Sequence, residues 1–582
     1  MAEYNPATKH LLYEVDDTPP LQISVTLAAQ IVALILAGIT LTPLVALNAA
    51  GLVDQWGNWV VFAALVISGS TTVLQALRVG PFGAGHILFM GTSGAFIAVS
   101  IAALDAGGLP LLGMLVLISS LVQFAVSARL SLFRSVVTPT VGGTIICMIA
   151  VTVMPFGFKM VSEVPVGFDN VAPQAPMWTA VATLAAIVLL SFYTSGKARL
   201  WAPLLGVLLG SAVAYPLGLI NLDAVSNARW LGLPESHWPG LDLSFGNSFW
   251  MLLPAFVIVT IVGALETYGD GIAIQSISSR KVRTTDYRIV QGAINADGLG
   301  NLLSGLACTL PNTTYSTSIS VVDLTGVASR RVGIYGGLML VVLAFVPKLS
   351  ALLQSIPAPV VGAFIIVLLV LLFAHGIRLV VSEGMSFDNG IVFGLSLWIG
   401  VGFQNRQLFE GLLPEFLANL LNNGMTAGGI SAVLLSWLVS LKNQVTRKVT
   451  VDLSSEGLQK AMDFVSDKAS RRGWRGEDLS RLLLVTEEAF VFVMEDEQIE
   501  AESVSLRLRV DSQTADLELV SSETEANVET LIRELDDSTD DSEQLRLKIL
   551  KHMVDELRHQ QFSDADFLWM KLHRRDVPTR YN

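Results

Sequence analysis

Three carboxylates set in otherwise apolar stretches are the first residues that could do chemistry. Glu266 and Asp270 stand one helical turn apart in IVGALETYGDGIAIQ, and Asp297 lies in GAINADGLGNLLSGL. A carboxylate at membrane depth costs about 2.5–3.5 kcal/mol on insertion scales, so such groups usually line a substrate or ion path. A third stretch opens Leu310-Pro311-Asn312-Thr313-Thr314-Tyr315, too polar and too β-prone for a plain membrane helix. A Pro/Asn/Thr-rich break of this kind is expected of a discontinuous transporter segment. The helix that restarts after it points free N–H groups and its positive dipole end at the bilayer midplane. Tyr315, Ser316, Thr317 and Ser318 would stand there, and Thr92, Ser93 and Gly94 are their counterparts in a weaker apolar span upstream. The plainer alternative is that these hydroxyls only satisfy irregular backbone. Asp297 is as well suited to bracing the third stretch as to moving a proton.

The rest of the chain must hold this region inside a bilayer. Of 582 residues, 52% are hydrophobic and only 15% charged, against roughly 25% charged in soluble domains. Apolar runs of about 20 residues fall near 22–47, 59–77, 85–104, 109–128, 135–154, 177–195 and 200–220. A second set falls near 247–275, 287–306, 308–326, 332–347, 357–376, 388–403 and 424–441. The fold class expected is an α-helical polytopic membrane protein of fourteen spans in two repeats of seven. An odd number per repeat makes the halves run in opposite directions. The third and tenth spans are the weakest by hydropathy and hold matching places, which points to a midplane site between inverted repeats.

Charge divides the chain. Residues 1–448 hold 20 acidic and 20 basic residues, and 449–582 hold 30 and 17, which is the whole net charge of −13. The expected domains are a cytoplasmic segment 1–21, a transporter domain 22–442, a linker 443–448 and an acidic α/β sandwich 449–582. Arg and Lys concentrate after even-numbered spans, placing both termini in the cytoplasm of a multi-pass inner-membrane protein. No cleavable signal is expected, because residues 1–20 are polar and include Pro19-Pro20. Nothing is basic enough for nucleic acid. Cys147 and Cys308 lie in apolar spans, so no disulfide framework, metal site or cofactor is expected. In the tail, VTVDLS reads as a strand, with helices near 455–471 and 477–496. A hairpin of ESVSLRLRV and TADLELV follows, then helices near 527–536 and 543–559, and a closing strand ADFLWMKLH. The acidic run Glu534 to Glu543 reads as a solvated loop.

ALETYGDGIA, NADGLGNLLSG, LPNTTY, LTGVASRRVG, IPAPVVGA and AHGIR, with GTSGAFI upstream, cover most of 20–442 in an order that resembles the nucleobase–ascorbate transporter family. The resemblance implies a core and a gate domain, third and tenth spans that begin as short antiparallel strands, exchange of a nucleobase with proton movement, and a homodimer. It implies that Glu266 hydrogen-bonds the base. Its neutral form would donate to the base and its ionised form would accept from ring N–H groups, which suits a proton-linked cycle. Asp270 and Asp297 match the carboxylates of xanthine-type members. Family members carry Glu or Gln at Thr317, Asn at Ser318 and Gly at Ser320, and uracil-type members a stacking Phe at Gly94.

The tail is similar to the histidine-kinase-type ATPase fold of anti-sigma-factor serine kinases at LLLVTEEAFVF. There Glu488 is followed by Phe492, where the family has a Mg²⁺-holding Asn. The tail is thus expected to bind a protein partner or the membrane domain itself rather than hydrolyse ATP. The function expected is proton-coupled uptake of a xanthine, urate or uracil-class base, with no catalytic residues. Two other classes fit the same features: a membrane sensor signalling through the tail, and an organic-anion carrier on this scaffold.

Overall fold

The computed structural model describes residues 11–574 apart from 130–137, 163–170, 196–198, 200, 221, 235–236, 281–284, 383–384, 405–420, 422–423, 443–446, 496–502, 512, 522–541 and 562–565. Helices α1 (Leu21–Ala49) and α2 (Val53–Leu77) open the membrane part. The third span begins as strand β1 (Met90–Thr92) and a 3-10 turn, Gly94–Phe96, before helix Ile97–Ala128. That helix is broken at Gly108, where φ is 68°, a left-handed value that glycine adopts without strain. Its arms are α3 (97–107) and α4 (109–128). Then come α5 (Pro139–Ser162), α6 (Ala175–Tyr193) and α7 (Ala202–Ala214).

The second half repeats the scheme. Helix α8 (Asn247–Ile277) and α9 (Tyr287–Leu306) precede strand β2 (Asn312–Thr314) and the short α10 (Thr317–Thr325). Helices α11 (Arg330–Ala344), α12 (Ala358–Ser382), α13 (Phe387–Phe403) and α14 (Gly424–Lys442) complete it. Each of the fourteen expected spans thus coincides with a helix or a strand–helix unit. The eleventh is shorter than its apolar run: after α11 the chain bends by 81° into a short helix, Pro347–Gln354.

Contacts between helices sort these elements into two bundles, α1–α4 with α8–α11, and α5–α7 with α12–α14. The repeat symmetry shows in where glycines meet. A Cβ on Gly69 of α2 would lie 2.5 Å from the Gly337 carbonyl oxygen of α11, and one on Gly113 of α4 would lie 2.7 Å from that of Gly305 of α9. Under the seven-plus-seven repeat these two crossings are images of one another. The α5–α12 crossing, Gly143 against Gly376 at 2.5 Å, is its own image. Where lipid gives helices no hydrophobic reason to pair, small residues let backbones approach this closely. The N-terminal segment straps one side of the first bundle. Tyr13 bridges Val327, and the Arg280 guanidinium donates to the carbonyls of Leu11 and Leu12 at 3.1 and 2.6 Å.

The tail is a five-stranded sheet in the order β3–β4–β5–β7–β6, with all pairs antiparallel. Its strands are β3 (Arg447–Asp452), β4 (Ser503–Val510), β5 (Thr514–Ser521), β6 (Glu556–Gln561) and β7 (Asp566–His573). Helices α15 (Ser455–Ser470), α16 (Gly476–Glu495) and α17 (Ser542–Met553) bury alternate strand residues such as Leu506, Leu517 and Met570. The helix expected over 543–559 is a correction: α17 ends at Met553 and the chain turns into β6. As an edge strand β6 is polar (ELRHQQ), so it lacks the apolar alternation that betrays a strand. The helix expected near 527–536, and most of the acidic run, lie outside the described residues.

Candidate functional site

Strands β1 and β2 meet head to head, Met90 opposite Thr314, Gly91 opposite Thr313 and Thr92 opposite Asn312. Two three-residue strands leave outward-facing N–H groups that lipid cannot satisfy. Neighbouring side chains supply the acceptors. Met90 N–H donates to Thr72 Oγ1 at 2.9 Å, Phe89 N–H to Ser318 Oγ at 2.9 Å and Asn312 N–H to Asn301 Oδ1 at 2.6 Å. The strands also lock to each other's flanks: Ser93 N–H donates to the Pro311 carbonyl, and Tyr315 N–H to that of Phe89.

Helix α8 lies against this crossing and carries two of the three carboxylates. Asp270 is buried, and both its oxygens are taken, by Thr314 Oγ1 at 2.8 Å and Ser316 Oγ at 2.7 Å. Asp297 of α9 is wholly buried. It accepts from Gln123 Nε2 at 2.7 Å, Thr267 Oγ1 at 2.8 Å and Asn301 Nδ2 at 3.4 Å. These two acids tie α4, α8 and α9 to β2 and to the start of α10. Glu266 differs. It is half-buried, beside the Thr313 hydroxyl, one turn before Asp270 on α8.

The other sequence candidates divide by what their atoms touch. The Thr92 hydroxyl turns away to the Gly38 and Ile39 carbonyls of α1 at 3.1 and 3.0 Å. Tyr315 folds back over Gly91 and donates to the Thr92 carbonyl at 2.8 Å. Ser318 is buried and its oxygen is engaged by Phe89. Ser316 is exposed and Thr317 half-buried, at the first turn of α10. Ser93 is buried, while Gly94 faces the second bundle, where a Cβ would come within 3.0 Å of Leu368 Cδ2 on α12.

Sequence reasoning missed the polar frame: Gln123, Thr267, Asn301, Thr72 and Thr313. A signal existed for two of them. Gln123 is a lone amide in an apolar span, and Asn301 lies one turn after Asp297. The hydroxyls carry no such mark, because threonine is ordinary in membrane helices.

A Permease family model (Xan_ur_permease) matches residues 22–407. A Clostridium perfringens protein named as a purine permease is 30% identical over 73% of this chain and 92% of its own length. Xanthine permease XanP of Escherichia coli strain K12 is 29% identical over 75% of this chain and 96% of its own. Among solved structures, the murine Solute Carrier 26 family member A9 anion transporter, inward-facing, aligns at a TM-score of 0.50 and 12% identity. That alignment covers 85% of this chain and 88% of that one, and shows a shared fold alone. The chain is a membrane permease rather than an enzyme, and it belongs to the xanthine/uracil permease family, the nucleobase–ascorbate transporters.

Proposed function

We propose that this permease carries a nucleobase of the xanthine, urate or uracil class into the cell together with a proton. Its site would be the space beside the β1–β2 crossing. The observation that supports this best is the division of labour among the acids. Asp270 and Asp297 are committed to donors of the frame, whereas Glu266 is half-buried beside Thr313. Glu266 would pair with ring N–H groups and exchange the proton, with Asp297 as the second proton-coupling group. Ser93, Gly94, Ser316 and Thr317 would line the site. Asp270, Thr92, Tyr315 and Ser318 would hold its shape. Relatives named as xanthine and purine permeases support the substrate class. The protein would be an inner-membrane homodimer with both termini cytoplasmic, divided at 1–21, 22–442, 443–448 and 449–582. Uptake of radiolabelled xanthine, urate and uracil into proteoliposomes, with and without an imposed proton gradient, tests the proposal. Binding without net uptake would favour the sensor that Thr317 and the fused tail also suit.

Thr317 should set which base is preferred. Its short side chain offers one hydroxyl where relatives place a longer Glu or Gln. Thr317→Gln adds a two-ended amide at the mouth of α10 and should move preference toward xanthine by about tenfold, the effect of one hydrogen bond of roughly 1.4 kcal/mol. An unchanged competition profile would place the site elsewhere.

The tail would be a regulatory domain and not an ATPase. Phe492 packs against the tail's apolar core, and an apolar ring supplies no hard oxygen for Mg²⁺. Titration of the full-length protein with Mg²⁺–ATP should give no saturable heat. Micromolar binding would overturn this.

A further inference from the structure

Among the described residues, the tail meets the membrane part around one buried aromatic side chain, Phe567. Phe567 of β7 lies on the sheet face opposite α15–α17, outside the tail's own apolar core. It is nonetheless buried, 2% exposed, in a cluster with Val126 of α4, Ala264 of α8, and Val290 and Ile294 of α9. Val520 of β5, opposite Phe567 in the register, packs with the same group. The Arg507 guanidinium stands over the Phe567 ring, 5.7 Å from its centre, and is itself held by Glu518 at 3.2 Å. Edge strand β6 also approaches α9.

All three helices that receive Phe567 belong to the first bundle. The tail's covalent root is in the second, because α14 ends at Lys442 and β3 begins at Arg447. Five Cα steps reach at most roughly 18 Å even fully extended. The tail therefore joins the two bundles, by a peptide link on one side and by a buried phenyl ring on the other. Alternating access in inverted-repeat transporters moves one bundle against the other around the site. Such a movement must either drag the tail or pull Phe567 out of its seat.

We propose that the docked tail is a brake: Phe567 seated on α4, α8 and α9 holds the two bundles in one relative position, and its release frees the first bundle to move against the second. This rests on the transport reading, and two readouts on the full chain keep the two ideas apart. One is the initial rate of xanthine uptake into proteoliposomes. The other is the alkylation rate of Leu368→Cys by a membrane-impermeant maleimide, which reports opening between the bundles without needing any flux. Leu368 faces Gly94 across the bundle interface, and the native Cys147 and Cys308 are buried.

Phe567→Ala should raise both rates three- to tenfold with little change in KM. Val520→Asp should do the same, and it guards against a loss of folding peculiar to one substitution. A disulfide engineered between Val520→Cys and Tyr287→Cys, two positions that pack against the Phe567 cluster from the tail and from α9, should lower both rates at least fivefold, with recovery on reduction. Unchanged labelling and uptake in both single variants, or slower rates in either, overturns the brake. Faster labelling with no uptake in any variant keeps the brake and overturns the transport reading.

Discussion

Glu266→Gln should weaken binding of the transported base about 10- to 150-fold and remove the contribution of this group to the pH dependence of uptake. The first figure follows from losing one charge-assisted hydrogen bond, about 1.5–3 kcal/mol. The second follows because an amide cannot ionise over the working range. The fold should survive, since Glu266 is half-buried and the amide fills the same space. Isothermal titration with xanthine at several pH values, on protein of unaltered gel-filtration profile, reads both effects. Wild-type affinity and a wild-type pH profile together would remove Glu266 from the site.

Asp297→Leu should be the most damaging single substitution to the membrane fold. It strips the acceptor from Gln123 Nε2 and Thr267 Oγ1 at once, and leaves Asn301 held by Gln123 Oε1 alone, in a place that water does not reach. Each buried donor left without a partner costs about 1–3 kcal/mol. Asn301 is also the group that accepts the β2 N–H of Asn312, so the strand crossing should loosen with it. Asp297→Asn keeps one acceptor oxygen and should be milder, retaining folded protein while impairing proton-coupled uptake. Size-exclusion recovery after heating, compared for the two variants, checks the order. An Asp297→Leu protein as heat-resistant as wild type would show that this network does not hold β2.

The membrane architecture was open to reading because lipid enforces it. Fourteen apolar runs, two of them interrupted at matching places, admit few folds. LPNTTY announces a break because its proline interrupts a helix and its paired threonines are β-prone. The commitments of individual hydroxyls were not legible. Ser318 and Thr92 look from sequence like Ser316 and Thr317, yet Ser318 and Thr92 turn to backbone, Ser316 is held by Asp270, and Thr317 stands half-buried at the start of α10. Only the register of β1 against β2 decides which. The failure at β6 has another cause: a polar edge strand following a helix carries no periodicity to separate it from more helix. Phe567 was visible as an outward position of an alternating strand, but what covers it depends on where four further strands and three membrane helices come to rest.

The short connection between Lys442 and Arg447 also sets how sensitively a docked tail could respond. A group tethered this closely is confined near its seat at an effective concentration in the millimolar range or above. A contact whose intrinsic dissociation constant lies several-fold below that concentration would then be occupied most of the time, without any tight interface. Each 1.4 kcal/mol added or withdrawn shifts that occupancy ratio tenfold. A single charge placed near Arg507, or a modest change in bilayer composition, is enough to move such a balance through most of its range. Weakness of the contact is then what makes it adjustable, and the peptide link is what makes a weak contact sufficient.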